Sequence, residues 1–128
     1  MKIVSLRQVL LLHEYMVRKY GGSSGVRDLG MLKSAVYRPF ATFAGQDLYV
    51  DIYLKSAAFI QSIVKNHPFL DANKRTAFSA TYVFLKRNGI LISASQKTVV
   101  KFMVQVANKN LSVDEISSWI KRNSKKII

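Results

Sequence analysis

The sequence predicts an all-α fold, a bundle of about six helices forming one domain over residues 1–128. Three observations lead there. Apolar residues recur at three- and four-residue intervals in successive stretches, as helices that bury one face require. Capping residues and glycines bracket those stretches. With 49% hydrophobic residues but only 2 prolines and 6 glycines, the composition suits a packed globule with short connections.

Taken in order, Ser5 and Gln8 have the spacing of a capping box. Leu6, Val9, Leu10, His13, Met16 and Tyr20 then continue at helical spacing until Gly21 and Gly22 end the run. The stretch "GGSSG" reads as a flexible turn. Asp28 caps a short helix through Leu32, Ala35 and Val36, which Pro39 closes. Residues 39–50, "PFATFAGQDLYV", follow no long period and are expected to form an irregular flap or short hairpin. From Asp51 to Asn66, the residues Leu54, Ala57, Ala58, Ile60, Ile63 and Val64 cover most of a helix, which predicts a central, buried element. Pro68 biases His67 away from helical angles, so the chain turns there. A further helix is expected from about Ala72 to a cap at Gly89, with Ala77, Phe78, Ala80, Thr81, Phe84 and Leu85 inward. Another begins near Ser95 and carries Val99, Val100, Phe102, Met103 and Val106. The last opens with the capping box Ser112 to Glu115 and carries Ile116, Trp119 and Ile120.

Composition narrows the function classes. No apolar run approaches the ~18 residues of a membrane-spanning helix, and "MKIVSLRQVL" lacks the apolar core and cleavage site of a signal peptide. A soluble, cytoplasmic protein without a membrane partner is expected. The absence of cysteine excludes disulfides and thiolate metal sites. Against 7 acidic residues stand 20 basic ones, a net charge of +13. Such a field speeds encounter with nucleic acid, nucleotides, acidic proteins or anionic membranes, and its sign does not choose among them.

The stretch that could choose is "NHPFLDANKRTAF", residues 66–78. Asp71 reads as the N-cap of the helix starting at Ala72, which would leave the amides of Ala72, Asn73 and Lys74 without intrahelical partners. Lys74 and Arg75 occupy the first turn, where the helix dipole penalises cations. An anionic ligand reverses that penalty: free amides, an ammonium and a guanidinium at one helix start are what a polyphosphate requires. Asp71, the only acid nearby, could hold the magnesium that accompanies a triphosphate. His67 carries the side chain type whose ordinary pKa lies near neutrality and could take a proton from an attacking hydroxyl. Singly, these residues read as a helix end, an ordinary cap and a solvated face; together they read as a site for group transfer from a nucleotide. His13, on the apolar face of the first helix, reads as a packed, hydrogen-bonded residue and not as a ligand.

"HPFLDANKR" resembles the signature of the Fic/Doc superfamily, H-x-F-x-[D/E]-G-N-[G/K]-R, and the flanking "KYGGSSGVRDLGMLKSAVYRP" and "TAFSATYVFLKRNG" are similar to its death-on-curing (Doc) branch. The resemblance implies that His67 is the general base, that Phe69 anchors the loop, and that Asp71 binds Mg2+. It implies that Ala72, Asn73, Lys74 and Arg75 bind the phosphates of ATP, and that a flap around Phe40, Thr42, Phe43, Gln46 and Tyr49 aligns the target. Members that transfer AMP carry glycine at the position of Lys74 and a second arginine at that of Phe78. The Doc pattern lacks both and implies transfer of the terminal phosphate, with elongation factor Tu as the known target class. AMP transfer remains the alternative. No inhibitory S-x-x-x-E-[G/N] pattern is present, so the resemblance implies inhibition in trans by an acidic antitoxin. A nucleic-acid binder or ribonuclease toxin is a third possibility, since "SVDEISSWIKRN" could pass for part of a helix-turn-helix. No stripe of base-reading side chains supports it, and direct nucleic-acid binding is not expected.

Overall fold

A computed structural model of the chain describes residues 1–127. It is mostly α-helical: α1 (Leu6–Tyr20), α2 (Leu29–Tyr37), a single 3-10 turn (Arg38–Phe40), β1 (Thr42–Phe43), β2 (Gln46–Asp47), α3 (Ile52–Asn66), α4 (Asn73–Arg87), β3 (Ile90–Ile92), α5 (Gln96–Asn108), α6 (Val113–Arg122) and β4 (Ser124–Lys126). The helix starts follow cap chemistry. Ser5 and Ser112 form full capping boxes with Gln8 and Glu115, and Asp28, Asp51 and Ser95 each accept a backbone N–H of the first turn. Four of the chain's seven acids, Asp28, Asp51, Asp71 and Glu115, thus accept backbone N–H groups. Only two ion pairs occur among the described residues, so the basic excess is not neutralised internally.

α3 lies at the centre and makes its most extensive contacts with α6 and α4, while α1 packs on α4. Every residue from Lys55 to Ile60 on α3 is buried, as expected of an element covered on most sides. Ile60, Ile63, Leu85, Ile116 and Ile120 form the middle of the core, extended by Phe102 and Trp119, whose rings stack at 3.9 Å. No helix among the described residues is long and apolar enough to cross a membrane.

The flap is a short hairpin, with Thr42 opposite Asp47 and Phe43 opposite Gln46. Ala44 and Gly45 both adopt positive φ at its turn, which matches the right-handed strand twist. One feature departs from the expected organisation. Residues 90–92 and 124–126 pair as an antiparallel ribbon. The inner strand alternates buried and half-buried, but "SKK" carries no apolar signal, so its pairing partner was illegible. α4 ends at Arg87 with Asn88 at its cap, and Gly89, at φ 81, is the glycine just beyond it that ends the helix and turns the chain into β3.

Candidate active site

The loop joining α3 to α4 reverses the chain through two non-glycine residues in the left-handed region, His67 at φ 47 and Ala72 at φ 61. Each such residue costs about 1–3 kcal/mol unless its surroundings enforce it. They do so here. Phe69 is 1% exposed at the loop's centre, and the Asn73 side chain brackets it, accepting its N–H at 3.1 Å and donating to its carbonyl at 3.1 Å. A buried residue outside regular structure is thereby left with no orphan backbone group. From α1, His13, 2% exposed, donates Nε2–H to the Asp71 carbonyl at 2.9 Å and stacks on the Phe69 ring at 3.8 Å. The packed, hydrogen-bonded role expected of His13 is the one it has.

A second support comes from the segment expected to be a flexible turn. Residues 22–28 run antiparallel to the loop. Val26 pairs with Phe69, the Leu70 N–H donates to Gly25, and the Arg27 and Asp28 N–H groups donate to Pro68. The Arg27 side chain donates Nε–H to the His67 carbonyl at 2.7 Å and also bonds the Asn66 carbonyl. A cation on the last carbonyls of α3 offsets the helix dipole and holds His67 at its cap position. Glycine is required at one point. At Gly22, φ is 117 and an added Cβ would lie 2.6 Å from Asp71 Oδ2. Gly22→Ala is therefore expected to lower stability by about 1–3 kcal/mol, through strain and the displaced carboxylate. Gly21→Ala, also at positive φ but with nothing within 4 Å of the new Cβ, isolates the backbone part. Equal denaturant midpoints for the two variants would refute the clash.

The motif residues converge on one exposed end of α4. Asp71 is not the N-cap. The helix begins at Asn73, one residue later than expected, with Ala72 as a left-handed cap that supplies no side-chain bond. Asp71 instead turns its carboxylate outward, where Oδ1 accepts the Ala72 N–H at 2.8 Å and Oδ2 the Ser23 N–H at 3.2 Å. These two donors, the Ala72 N–H first, lower its pKa below the usual aspartate range, with a smaller contribution from Arg75. The carboxylate thus stays ionised to more acidic pH than an ordinary aspartate. The first turn of α4 contains no acid, and the N–H groups of its first residues have no intrahelical acceptor. Lys74 is exposed and makes no side-chain bond among the described residues. Arg75 is half-buried, reaching the carbonyls of Met16 (3.4 Å) and Gly21 (3.1 Å) at the end of α1 and lying over the Tyr20 ring. The His67 ring is exposed, with Nδ1 3.5 Å from Asn73 Nδ2, a contact at the limit of hydrogen bonding that orients the ring from its inner side.

Of the flap residues, Thr42, Phe43 and Gln46 lie on the exposed hairpin. Phe40 and Tyr49 belong to its base. Phe40 meets Phe84 edge-on, and the Tyr49 hydroxyl accepts from Arg38 Nε at 2.9 Å. Beside the start of α4, the elements α1, α4, β3 and α5 leave a groove of about 500 Å³, walled by Met16, Phe78, Tyr82, Val100 and Val104 and reaching Lys74 and Arg75. Sequence alone assigns Arg27 and Ser23 no role and Gly22 only that of a helix stop, since nothing local to "GGSSGVRD" says that it faces residues some forty positions away.

Comparison with known proteins bears on the same residues. The model of the Fic/DOC family matches residues 3–85, which include α1, the segment 22–28, the flap and the whole loop. A protein named Toxin Doc from Mycolicibacterium smegmatis (strain ATCC 700084 / mc(2)155) is 40% identical over 101 residues, 77% of this chain and 78% of its own length. A protein named Protein kinase doc from Escherichia phage P1 is 30% identical over 122 residues, 95% of each chain. With the motif, its helical frame and most of the chain's length matched together, this protein belongs to the Fic/DOC family.

Proposed function

We propose that this protein is the toxin of a type II toxin-antitoxin module. It acts as a kinase that transfers the terminal phosphate of ATP to a threonine or serine hydroxyl of a translation protein such as elongation factor Tu. The observation that carries this reading is the start of α4: uncapped by any side chain, free of acid in its first turn, and flanked by Lys74, Arg75 and the exposed His67 ring. The names of its relatives, a toxin and a protein kinase, agree with it.

The residues present fit magnesium. Asp71 is exposed and held ionised by two N–H donors that leave lone pairs free on both oxygens, and Mg2+ typically takes one or two carboxylates besides phosphate and water. Bound there, it would neutralise charge on the nucleotide's phosphates. His67 accepts the proton of the target hydroxyl as that oxygen bonds to the terminal phosphorus. The bond from this phosphorus to the bridging oxygen breaks, and ADP leaves. Lys74 and the α4 amides stabilise the charge on the transferring group, which is most of what such a reaction asks of a protein. Phe78, at the position where AMP-transferring members would carry a second arginine, is half-buried beside Tyr82 and gives the groove an apolar wall. This favours phosphate over AMP transfer. The groove, apolar along its length and cationic at one end, suits an antitoxin segment with an apolar face and acidic residues.

Two forms of labelled ATP test the reading. Incubated with elongation factor Tu, ATP labelled on the terminal phosphate is expected to mark the protein, and ATP labelled on the innermost phosphate is not. The reverse pattern would make the enzyme an AMP transferase, and no label from either would remove the proposed target.

A further inference from the structure

The flap has almost no packing of its own. Its four strand residues are exposed, Phe43 by 78%, and a two-stranded hairpin is marginal in isolation. Even its base is loosely filled, with a cavity of about 30 Å³ lined by Pro39, Phe40, Lys55, Ser56 and Phe84. Something other than burial must set its direction.

Lys55, on the first turn of α3, is 4% exposed. Its ammonium has three N–H donors and meets three acceptors: the Pro39 carbonyl at 3.3 Å, Asp47 Oδ2 at 3.3 Å and the Tyr49 carbonyl at 2.6 Å. The three lie before the hairpin, on its returning strand and after its exit. One buried charge therefore triangulates the flap from the central helix. A lysine is taken from water only where such partners replace its hydration, so the flap cannot swing away without leaving that charge unmatched. Arg38 reinforces the exit: it bonds the Tyr49 hydroxyl while its other donors reach Ala58, Gln61 and Ser62 on α3.

We propose that Lys55, with Asp47 as its partner on the hairpin, is a positioning residue that fixes the flap and so governs affinity for the protein target, leaving the nucleotide site untouched. This rests on the kinase reading above and on the role that the family resemblance implies for the flap, alignment of the target. Lys55 touches neither ATP nor the reacting hydroxyl. It acts through the hairpin.

The test is steady-state phosphorylation of purified elongation factor Tu by Lys55→Met, which keeps the side-chain length and removes the charge. KM for elongation factor Tu is expected to rise about tenfold to a hundredfold, with KM for ATP within about twofold. Asp47→Asn, at a site 55% exposed and thus safe for folding, is expected to give a smaller shift in the same direction. A Lys55→Met enzyme with unchanged KM for the protein, or with both KM values raised alike, overturns the proposal. If the unmodified enzyme does not label elongation factor Tu, the proposed target fails and amide hydrogen exchange decides about Lys55. Faster exchange at Leu48, whose N–H donates to Ala41 across the hairpin, with the helices unchanged, upholds the latch; unchanged exchange there sinks it.

Discussion

Replacing His67 by alanine is expected to reduce phosphate transfer by about 10²- to 10⁴-fold, the usual loss for a general base, while ATP affinity changes by no more than about twofold. Alanine alone is an imperfect probe, because His67 sits at φ 47 and alanine adopts that region with strain. His67→Asn is the better companion: asparagine tolerates left-handed angles yet cannot act as a base near neutral pH. Agreement between the two variants assigns the loss to the missing imidazole. A large loss in alanine with near-normal rates in asparagine would instead assign it to loop geometry. Isothermal titration with ATP supplies the binding half of the measurement. The contrasting variant is Lys74→Ala, which should weaken ATP. Arg75→Ala is expected to weaken it too, but this guanidinium also closes the end of α1 through Met16 and Gly21, so its removal mixes two effects.

Phe69→Ala is expected to cost about 3–5 kcal/mol of stability, the range for truncating a fully buried aromatic side chain. The loss has two sources. The ring is 1% exposed, so its removal leaves a void in the core. It also stacks on His13, whose own bond holds the Asp71 carbonyl, so the void opens beside the residue that would hold magnesium. Denaturant unfolding measures the first part, and a double-mutant cycle with His13→Leu measures the coupling between the rings. A loss below about 1 kcal/mol for Phe69→Ala would show that the loop is held by its backbone bonds to Asn73 and to residues 22–28, not by the anchor.

Much of the frame was legible because its signals are local. A capping box and a 3.6-residue period lie within one helix, so Ser5 with Gln8 and Ser112 with Glu115 announce α1 and α6 without reference to anything distant. The motif was legible for the same reason, its polar residues falling within the nine positions 67–75. The boundary of α4 was misplaced because Asp71 has the chemistry of an N-cap. What the sequence could not show is that the Ala72 and Ser23 N–H groups each take one oxygen of that carboxylate and hold it outward. β4 was missed because a strand of Ser-Lys-Lys is recognisable only beside its partner.

The residue types of the site, their order and the all-α frame that carries them were determined by the sequence alone, since each rests on spacing within a few turns. Tertiary structure decided which backbone those side chains serve. Asn73 is turned inward onto Phe69, Arg27 crosses forty positions to hold the carbonyl of His67, and Lys55, a buried cation on the central helix, reaches three points of the flap. The physical reason is common to all three. A buried or strained polar group must find partners somewhere, and where it finds them depends on the packing of distant segments, which no local pattern records.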